Sequence, residues 1–370
     1  MTPEELREDV PALHESTYLN FGAHGPSPRY VVEAASDFLA EHEYGSGVSD
    51  PYDTAFGAYR DVRERIAAFI GADADEIALT ESTTDGINRI ANAFEWEPGD
   101  VVVRTDLEHP AGILPWKRLE SRGVEVRVLE TTDGAIDTDE FADAVADAKL
   151  ACTSATTWTH GTQLPVRELA EIASDSDAFS LVDAVQTPGQ GAMDVHEWGA
   201  DAVAAAGHKW LLGPWGSGFL YVDRKRANEL TPGSIGYRSV TTPTADDIEY
   251  KHGAARFEIG TTSPAPHVGL VEAMDAIEEV GLETIETRIE TLTDRLKDGV
   301  DGDRLLSPRA YDSGLVSIAG DDPDATVDRL AERGIVVRSL SSPEAVRVSV
   351  HAVSTASEID LLLDVIGDRT

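Results

Sequence analysis

Short apolar runs alternate with amphipathic helical patterns through the first two thirds of the chain. A short apolar run bounded by turn residues is typical of a buried strand, and apolar positions three and four residues apart indicate a helix. Their alternation predicts an α/β fold, with a mostly parallel sheet and helices on both faces. Seven strands are predicted at residues 77–79, 101–103, 124–129, 150–153, 179–182, 202–205 and 219–222, with helices at 85–94, 114–121, 138–147 and 166–174 between some of them.

The pattern changes near Phe257. A long helical stretch over residues 265–300 is followed by shorter strands at 314–318, 335–338 and 346–350, with helices between and after them. We therefore predict an N-terminal arm (1–20) that associates with the small domain, a large domain (21–256) and a smaller α+β C-terminal domain (257–370). A chain of 370 residues is longer than one hydrophobic core normally supports, which agrees with two domains.

The overall composition is that of a globular protein, but its charge is extreme. The chain has 30 basic and 68 acidic residues, a net charge of −38. Such a surface repels phosphate backbones and anionic lipids, so we expect neither nucleic acid nor membrane partners. Acidity dispersed along the whole chain is expected of a halophilic protein, because salt screens the self-repulsion. The N-terminus lacks the features of a signal peptide, and we expect a cytoplasmic protein.

Residues 179–222 carry the clearest chemical signal. Asp183 follows the apolar run 179–182, at the carboxyl edge where open α/β sheets bind ligands. Lys209 follows the run 202–205 and precedes the glycine-rich turn LLGPWGSG. A partly desolvated lysine that is held still is suited to act as a nucleophile, because its neutral amine is populated.

Two motifs in this segment, D-A-x-Q from Asp183 and G-H-K ending at Lys209, resemble the class V aminotransferase and cysteine desulfurase family. Enzymes of that family have fold type I and use pyridoxal 5′-phosphate (PLP), and the 26-residue interval between the two side chains fits it. The resemblance implies that Lys209 forms a Schiff base with PLP and that Asp183 pairs with the pyridinium nitrogen. It further implies that Gln186 binds the phenolic oxygen of the ring and that His208 belongs to the cofactor site.

Other segments that match the family occur in the expected order. The resemblance places Thr83 and Thr84 at the PLP phosphate, whereas by themselves they indicate only a helix N-cap. His109, before Pro110, matches the family histidine that stacks on the ring and moves protons. Thr261, in RFEIGTT, matches a threonine that reaches the phosphate of the neighbouring subunit. The resemblance therefore implies a homodimer with shared active sites.

Four residues are predicted to contact the substrate. Arg347, in R-V-S, matches a family arginine whose guanidinium binds the substrate carboxylate in a bidentate manner. Arg338, in GIVVRSLSS, is the second candidate. His24, in the loop FGAHGP, is predicted to line the substrate entrance, with an ordinary loop residue as the alternative. Trp158 is either a wall of the pocket or a half-buried aromatic residue.

The chain departs from the family pattern at several positions. Cysteine desulfurases carry a catalytic cysteine between the two arginine motifs, but the loop at residues 340–346 (LSSPEAV) is short and has none. The single cysteine, Cys152, lies in a predicted strand. Because the chain has only one cysteine, an intrachain disulfide and a cysteine-rich metal site are excluded, and we predict no metal. Ala206 replaces a serine that often binds phosphate, and Thr157 or Trp158 replaces an amide near the ring oxygen.

Every feature described so far is common to several PLP reactions. We predict a class V aminotransferase whose small-molecule partners are an amino acid and a keto acid. The alternatives are a cysteine or cystine C–S lyase, or a desulfurase-like enzyme without the usual catalytic cysteine, and an amino-acid epimerase. A non-enzymatic alternative is an inactive scaffold with the same fold. The set of Asp183, Gln186, His109 and Lys209 argues against a scaffold, which has no need of Lys209.

Overall fold

The computed structural model describes residues 1–367, and within this range no helix is long and apolar enough to cross a bilayer. The strands are β1 (Thr17–Tyr18), β2 (Ile77–Thr80), β3 (Val101–Thr105), β4 (Glu125–Leu129), β5 (Leu150–Ser154), β6 (Phe179–Asp183), β7 (Ala202–Ala206), β8 (Gly218–Val222), β9 (Leu315–Ala319), β10 (Ile335–Val336), β11 (Arg338–Ser341) and β12 (Glu344–Ser349). The helices are α1 (Pro3–Glu8), α2 (Arg29–Gly45), α3 (Pro51–Ile70), α4 (Thr83–Ala91), α5 (Leu114–Leu119), α6 (Thr138–Val145), α7 (Val166–Asp175), α8 (Val195–Trp198), α9 (Arg224–Glu229), α10 (Ala265–Val280), α11 (Leu282–Asp298), α12 (Pro323–Ala331) and α13 (Ala356–Gly367).

A seven-stranded sheet forms the centre of the molecule, with the strand order β2-β8-β7-β6-β5-β3-β4. Strand β8 runs antiparallel to both of its neighbours, and the other six strands are parallel to one another. The prediction of a mostly parallel seven-stranded sheet is confirmed. Because parallel strands end at the same edge, the segments after β3, β5, β6 and β7 meet at one crevice.

Strand β7 illustrates how the sheet is buried on both faces. Ala202 and Ala204 pack in a hydrophobic cluster with residues of α4, whereas Val203 and Ala205 pack with residues of α3. The small side chains let α4 approach closely, since a Cβ built on Gly86 would lie 3.1 Å from the Cβ of Ala204. This packing brings the N-terminus of α4 to the carboxyl edge of the sheet.

The C-terminal part of the chain has its own antiparallel sheet, in the order β11-β12-β9, with its own aliphatic cluster. The N-terminal arm contacts this region: Thr17 of β1 pairs with Ile335 of β10, and Arg7 forms a 2.8 Å salt bridge with Glu358. Helix α10 packs against α2 and α3. The domain boundaries after residues 20 and 256 stay predictions.

The helical stretch predicted over residues 265–300 consists of two helices, because Gly281 between α10 and α11 adopts φ +91°, which favours glycine. Two other details of the predicted elements are wrong. The strand expected over 335–338 is divided between β10, which pairs with β1, and β11, which pairs with β12. The loop expected over 340–346 is a hairpin turn, in which Ser341 pairs with Glu344 and only two residues lie between them.

A buried carboxyl group joins the ends of β3 and β5. Glu108, which is 2% exposed, accepts hydrogen bonds from Thr105 Oγ1 (2.7 Å), Ser154 Oγ (2.6 Å) and Ser154 N (3.1 Å). Burial raises the pKa of Glu108 to about 7, although these hydrogen bonds oppose the rise. The Glu108 carboxyl group therefore tends to keep its proton, and its hydrogen bonds hold the residue next to His109 at the crevice.

The N-terminal loop meets the segment around Lys209 at Gly25. The Gly25 backbone N donates to the His208 carbonyl oxygen at 2.8 Å. A Cβ built on Gly25 would lie 1.9 Å from the Lys209 carbonyl oxygen and 2.8 Å from a methyl carbon of Leu212. Glycine is therefore required at this contact, for lack of space.

We expect Gly25→Ala to lower the free energy of unfolding by about 1–3 kcal/mol, because backbone atoms have to move to admit the new methyl group. Urea denaturation measures the change. Gly47→Ala is the matched control, since nothing lies within 4 Å of a Cβ built there. Equal stability of the two variants would contradict the contact at Gly25.

We expect Glu108→Gln to flatten the pH dependence of stability. The folded state binds the Glu108 proton more tightly than the unfolded chain, so this group destabilises the fold progressively as the pH rises from about 4.5 to about 7. The decrease in unfolding free energy between about pH 5 and about pH 8 should be smaller in the variant by about 1–3 kcal/mol. Denaturant titrations at both pH values measure the unfolding free energies, and Glu64→Gln, at an exposed position, is the control. If the wild type and both variants lose the same stability between the two pH values, Glu108 does not cause the pH dependence.

Candidate active site

Lys209 lies in a compact turn between β7 and β8. The Gly207 N donates to the Ser217 carbonyl oxygen and the Gly213 N donates to the Gly207 carbonyl oxygen, both at 2.9 Å. Leu212 N donates to the Lys209 carbonyl oxygen at 3.1 Å, and Leu212 has φ +59°, a left-handed conformation that costs a non-glycine residue roughly 1–2 kcal/mol. These bonds fix the backbone from which the lysine side chain extends.

The amine of Lys209 is electrostatically suited to react as a neutral base or nucleophile. Its pKa is lowered to about 7, mainly by burial and also by the charges of Arg347 and Arg338, although the charge of Asp183 opposes the shift. A lysine with such a pKa has a large neutral fraction at physiological pH, whereas an ordinary lysine has almost none.

Asp183 is the last residue of β6 and is buried at the carboxyl edge of the sheet. Its Oδ1 accepts a hydrogen bond from Val185 N at 3.1 Å. Burial raises the pKa of Asp183, and the backbone hydrogen bond and the Lys209 charge only partly offset this. A buried carboxylate is stabilised by a cationic partner, and a protonated pyridine nitrogen is such a partner.

His109 begins a short 3₁₀ turn after β3. Its Nδ1 accepts a hydrogen bond from Ala111 N at 3.2 Å, so the proton of the neutral ring is on Nε2. The pKa of His109 is lowered to about 4, mainly by burial and also by the charges of Lys209 and two arginines. The ring meets Trp158 edge to face, with centroids 5.3 Å apart. His109 is therefore an uncharged ring with a proton available at Nε2.

The N-terminus of α4 has the features of an anion site. Ser82, not Thr83 or Thr84, is the N-cap, and its Oγ accepts from Asp85 N at 3.1 Å. Thr83 lies in the first turn with a buried Oγ1 that has no hydrogen-bond partner, whereas Thr84 is exposed. The expectation that both threonines precede the helix is wrong, because the helix begins at residue 83. The free hydroxyl of Thr83 is suited to a phosphate oxygen.

Arg347 is almost fully buried beside other polar atoms without partners. Its Nη1 donates to the Trp158 carbonyl oxygen at 3.0 Å, but its Nε and Nη2 have no acceptor among the residues that the structure describes. Ser349 Oγ and Asn20 Oδ1 are also buried without partners. A Cβ built on Gly22 would lie 2.9 Å from Ser349 Oγ and 3.3 Å from Arg347 Nη2, so the glycine keeps this space open. Two unpaired guanidinium donors are suited to a carboxylate.

Three aromatic side chains stack next to Lys209. The rings of His208 and Trp215 have centroids 4.4 Å apart, and those of His24 and Trp215 are 5.2 Å apart. Trp215 is 64% exposed, whereas both histidines are half-buried. Burial lowers the pKa of His208 to about 4 and also lowers that of His24, so both rings are neutral. His24 thus lies on the same side of the site as the lysine turn.

Two of the predicted site residues make other contacts. Gln186 Nε2 donates to the Gly22 carbonyl oxygen at 2.9 Å, and its Oε1 accepts from Trp210 Nε1 at 2.8 Å. Its contact with the ring oxygen stays a prediction. Thr261 is exposed on the surface, and its backbone N donates to Tyr237 Oη at 3.0 Å. Its contact with a neighbouring subunit also stays a prediction.

Sequence reasoning missed several residues of this site. Glu108 was visible as a carboxyl group beside His109 at the end of a strand, but nothing in the sequence indicates that it is buried. Trp215 lay within the glycine-rich turn that was recognised. The pairing of Asn20 with Ser349 depends on an isolated bridge between segments 329 residues apart, for which the sequence has no signal.

The residues present fit PLP. Lys209 has an amine with a pKa near 7. Within residues 1–367, Asp183 is a buried carboxyl group without an ion pair, and Thr83 has a buried hydroxyl at a helix N-terminus without a hydrogen-bond partner. His109 is a neutral ring. Ala206, the last residue of β7, cannot donate to a phosphate, so that contact of the family is missing.

Comparison with known proteins agrees with this fit. The profile of the family described as "Aminotransferase class-V" matches residues 17–362. A protein of Methanothermobacter thermautotrophicus named "Probable cysteine desulfurase" is 34% identical, over 98% of this chain and 96% of its own length. Two solved structures of C-DES are each 26% identical. One, a mutant with glycine covalently linked to its PLP cofactor, has a TM-score of 0.92 and covers 98% of this chain and 99% of that one. The other, the cystine C–S lyase with its product cysteine persulfide, has a TM-score of 0.90 and covers 97% and 99%.

The matched ranges cover the whole central sheet and the strands β11 and β12, which carry Arg338 and Arg347. These similarities confirm the predicted fold type I and the predicted cofactor. Since the matched range takes in Lys209, Asp183, His109 and Arg347 together, the chain belongs to the aminotransferase class-V family of PLP-dependent enzymes.

Proposed function

We propose that this enzyme is a C–S lyase, which releases sulfur from cysteine or cystine by β-elimination without an enzyme thiol. The relatives are named for C–S chemistry, which favours this alternative over the aminotransferase that the sequence analysis predicted. The reaction converts cystine and water to pyruvate, ammonia and cysteine persulfide, or cysteine and water to pyruvate, ammonia and hydrogen sulfide. Both equations balance without a keto acid or an external oxidant.

The hairpin between the two arginines carries this proposal. In the desulfurases that the sequence resembles, a catalytic cysteine lies between these two motifs. Here β11 and β12 are joined by the two residues Ser342 and Pro343, so the connection is too short to carry a thiol into the site. Because no enzyme thiol accepts the sulfur, it has to leave as hydrogen sulfide from cysteine or as cysteine persulfide from cystine.

The single thiol of the chain supports the same conclusion. Cys152 lies in the middle of β5 with no exposed surface. Burial raises the pKa of Cys152 well above its usual value, and the charges of Glu108 and Asp183 raise it further. A buried thiol that resists ionisation is a poor nucleophile.

The site residues have roles that suit an elimination. Arg347 binds the α-carboxylate and thereby orients Cα, and Lys209 Nζ, with a pKa near neutrality, removes the α-proton. PLP, when bound, supplies the electron sink for the charge that develops at Cα, and Asp183 stabilises its protonated ring nitrogen. As the C–S bond breaks, the electron pair goes to sulfur, and the proton that Lys209 removed from Cα can be passed to the sulfur. The neutral His109 ring can donate a hydrogen bond from Nε2 to the sulfur as its charge develops.

We also propose that two copies share their active sites through the surface around Thr261. This surface contains exposed aromatic and aliphatic side chains that a monomer would leave in water: Leu39, Tyr52, Phe56, Tyr237 and Ile259. Thr261 is bonded to one of them, and Leu39 and Tyr52 line the same groove. An exposed apolar patch around a polar residue is typical of a protein interface.

The product assay tests the proposed reaction. PLP-loaded enzyme given L-cystine or L-cysteine, without a keto acid, should form pyruvate and ammonia in equal amounts. Lys209→Ala should lower the rate at least about a hundredfold, because proton removal loses its base, whereas Cys152→Ala should keep it within about twofold. Formation of alanine would indicate thiol-dependent desulfuration, and formation of a new amino acid only after a keto acid is added would indicate transamination; either result refutes the proposal.

Mixing two defective variants tests the shared site. We expect Thr261→Ala to weaken PLP binding about tenfold through the loss of a phosphate hydrogen bond, so that it is inactive at limiting PLP. Mixed with Lys209→Ala, it should regain activity, because one of the two sites in each heterodimer then has both wild-type residues. If Thr261 serves its own subunit, every site retains one defect and mixing restores nothing. Sedimentation velocity provides the independent measure of dimer formation.

A further inference from the structure

A buried histidine follows the strand that carries Arg347. Strand β12 ends at Ser349, and His351 lies two residues beyond it. A Cβ built on Gly22 would contact Arg347 and Ser349, and the neighbouring Phe21 stacks on His351 with ring centroids 5.0 Å apart. His351 therefore lies next to the candidate carboxylate site.

Both ring nitrogens of His351 have defined partners. Nδ1 accepts a hydrogen bond from Val353 N at 3.2 Å, so the proton of the neutral ring is on Nε2. Nε2 donates to the Trp210 carbonyl oxygen at 3.0 Å. Burial lowers the pKa of His351 to about 4, although the hydrogen bond to Trp210 opposes the shift. The ring is therefore an uncharged donor with one orientation.

Packing holds this histidine and its acceptor in place. Both side chains are fully buried, and the rings of His351 and Trp210 stack with centroids 6.1 Å apart. Trp210 Nε1 donates to Gln186 Oε1 at 2.8 Å, and a Cβ built on Gly314 would lie 2.6 Å from a carbon of the indole. Neither partner can therefore move away without disturbing a close-packed core.

The acceptor of this hydrogen bond directly follows Lys209 in the chain. Hydrogen bonds inside the turn at residues 207–213, such as that from Leu212 N to the Lys209 carbonyl oxygen, fix the shape of the turn. They do not fix where the turn lies relative to β12. The bond from His351 to Trp210 supplies this link between the strand of Arg347 and the lysine.

We propose that His351 is a positioning residue, which sets the place of the Lys209 amine relative to the carboxylate that Arg347 binds. The amine has to reach the proton on Cα, and Cα is bonded directly to that carboxylate, so the two groups have to be held at a fixed separation. A displacement of about 1 Å can cost about a hundredfold in rate. The inference uses only α-proton removal by Lys209, a step that precedes C–S cleavage and does not depend on it.

Substitutions at His351 separate the hydrogen bond from the packing. His351→Gln keeps an N–H donor that can reach the Trp210 carbonyl oxygen, whereas His351→Phe keeps an aromatic ring but has no donor. Both lose the acceptor for Val353 N, so the difference between them reports the bond to Trp210. His351→Leu is a second variant without a donor, and His14→Phe, at an exposed position, is the control.

Exchange of the α-proton of L-alanine with D₂O, followed by NMR on the PLP-loaded enzyme, measures proton removal without C–S cleavage. We expect the maximum rate to fall at least about tenfold in His351→Phe and His351→Leu, because a misplaced amine transfers the proton slowly. It should stay within about threefold in His351→Gln and in the control. The half-saturating alanine concentration should change less than about twofold throughout, since Arg347 is retained.

Amide hydrogen exchange provides a second measurement that does not depend on activity. In the PLP-loaded protein, amides of residues 207–213 should exchange at least about threefold faster in His351→Phe than in His351→Gln, because the turn has lost its link to β12. Mass spectrometry of the peptide that contains this turn measures the rates. Equal exchange in these two variants would contradict the link.

Equal proton-removal rates in His351→Gln and His351→Phe overturn the proposal, because the donor would then have no effect. A raised half-saturating concentration with an unchanged maximum rate also overturns it, since His351 would then serve the carboxylate site. Absence of alanine exchange in the wild type would remove the base on which the inference rests. The expected pattern in an enzyme that forms no pyruvate from cystine would instead reject the lyase reaction and support the positioning role.

Discussion

The removal of Lys209 from water beside Asp183 is the interaction on which the rest of the site depends. In water both groups would be charged, the lysine would be a poor base, and the aspartate would have no need of a partner. In the crevice, burial favours the neutral form of each group, and the nearby arginines favour the neutral amine further. The same desolvation keeps His109 and His208 uncharged. A site with neutral imidazoles and a neutral amine can move protons, and its remaining positive charges are left to bind anions.

Close approach of backbone segments creates that crevice. The small side chains of β7 let helix α4 pack against the sheet, which brings the free hydroxyl of Thr83 to the carboxyl edge. Gly25 lets the N-terminal loop lie directly on the lysine turn, and Gly22 leaves space beside Arg347. A larger side chain on β7 or at Gly25 would push these segments apart, and one at Gly22 would fill the space beside Arg347.

The hairpin of β11 and β12 distinguishes this enzyme from the desulfurases that its sequence resembles. Its two-residue connection has no room for a mobile thiol, and its register holds two guanidiniums opposite each other, both within 6 Å of the Trp158 ring centroid. Their uncompensated charge stands out in a chain whose net charge is −38. The overall acidity is suited to a salty solvent, and a halophilic protein stays a prediction.

The amino-acid sequence by itself determined the alternation of strands and helices and the family, and it predicted the candidate cofactor residues that lie in local motifs, such as Asp183 and Lys209. These features depend on short-range periodicity and on spacing within one segment, which a linear chain displays directly. Only the tertiary structure decided that Glu108 is buried against Ser154, that Gln186 bonds to Gly22 and Trp210, that Ser82 caps α4, and that Arg338 faces Arg347 across a hairpin. Burial, strand register and charge compensation depend on residues far apart in the chain, because the energy of a side chain is set by its neighbours in space.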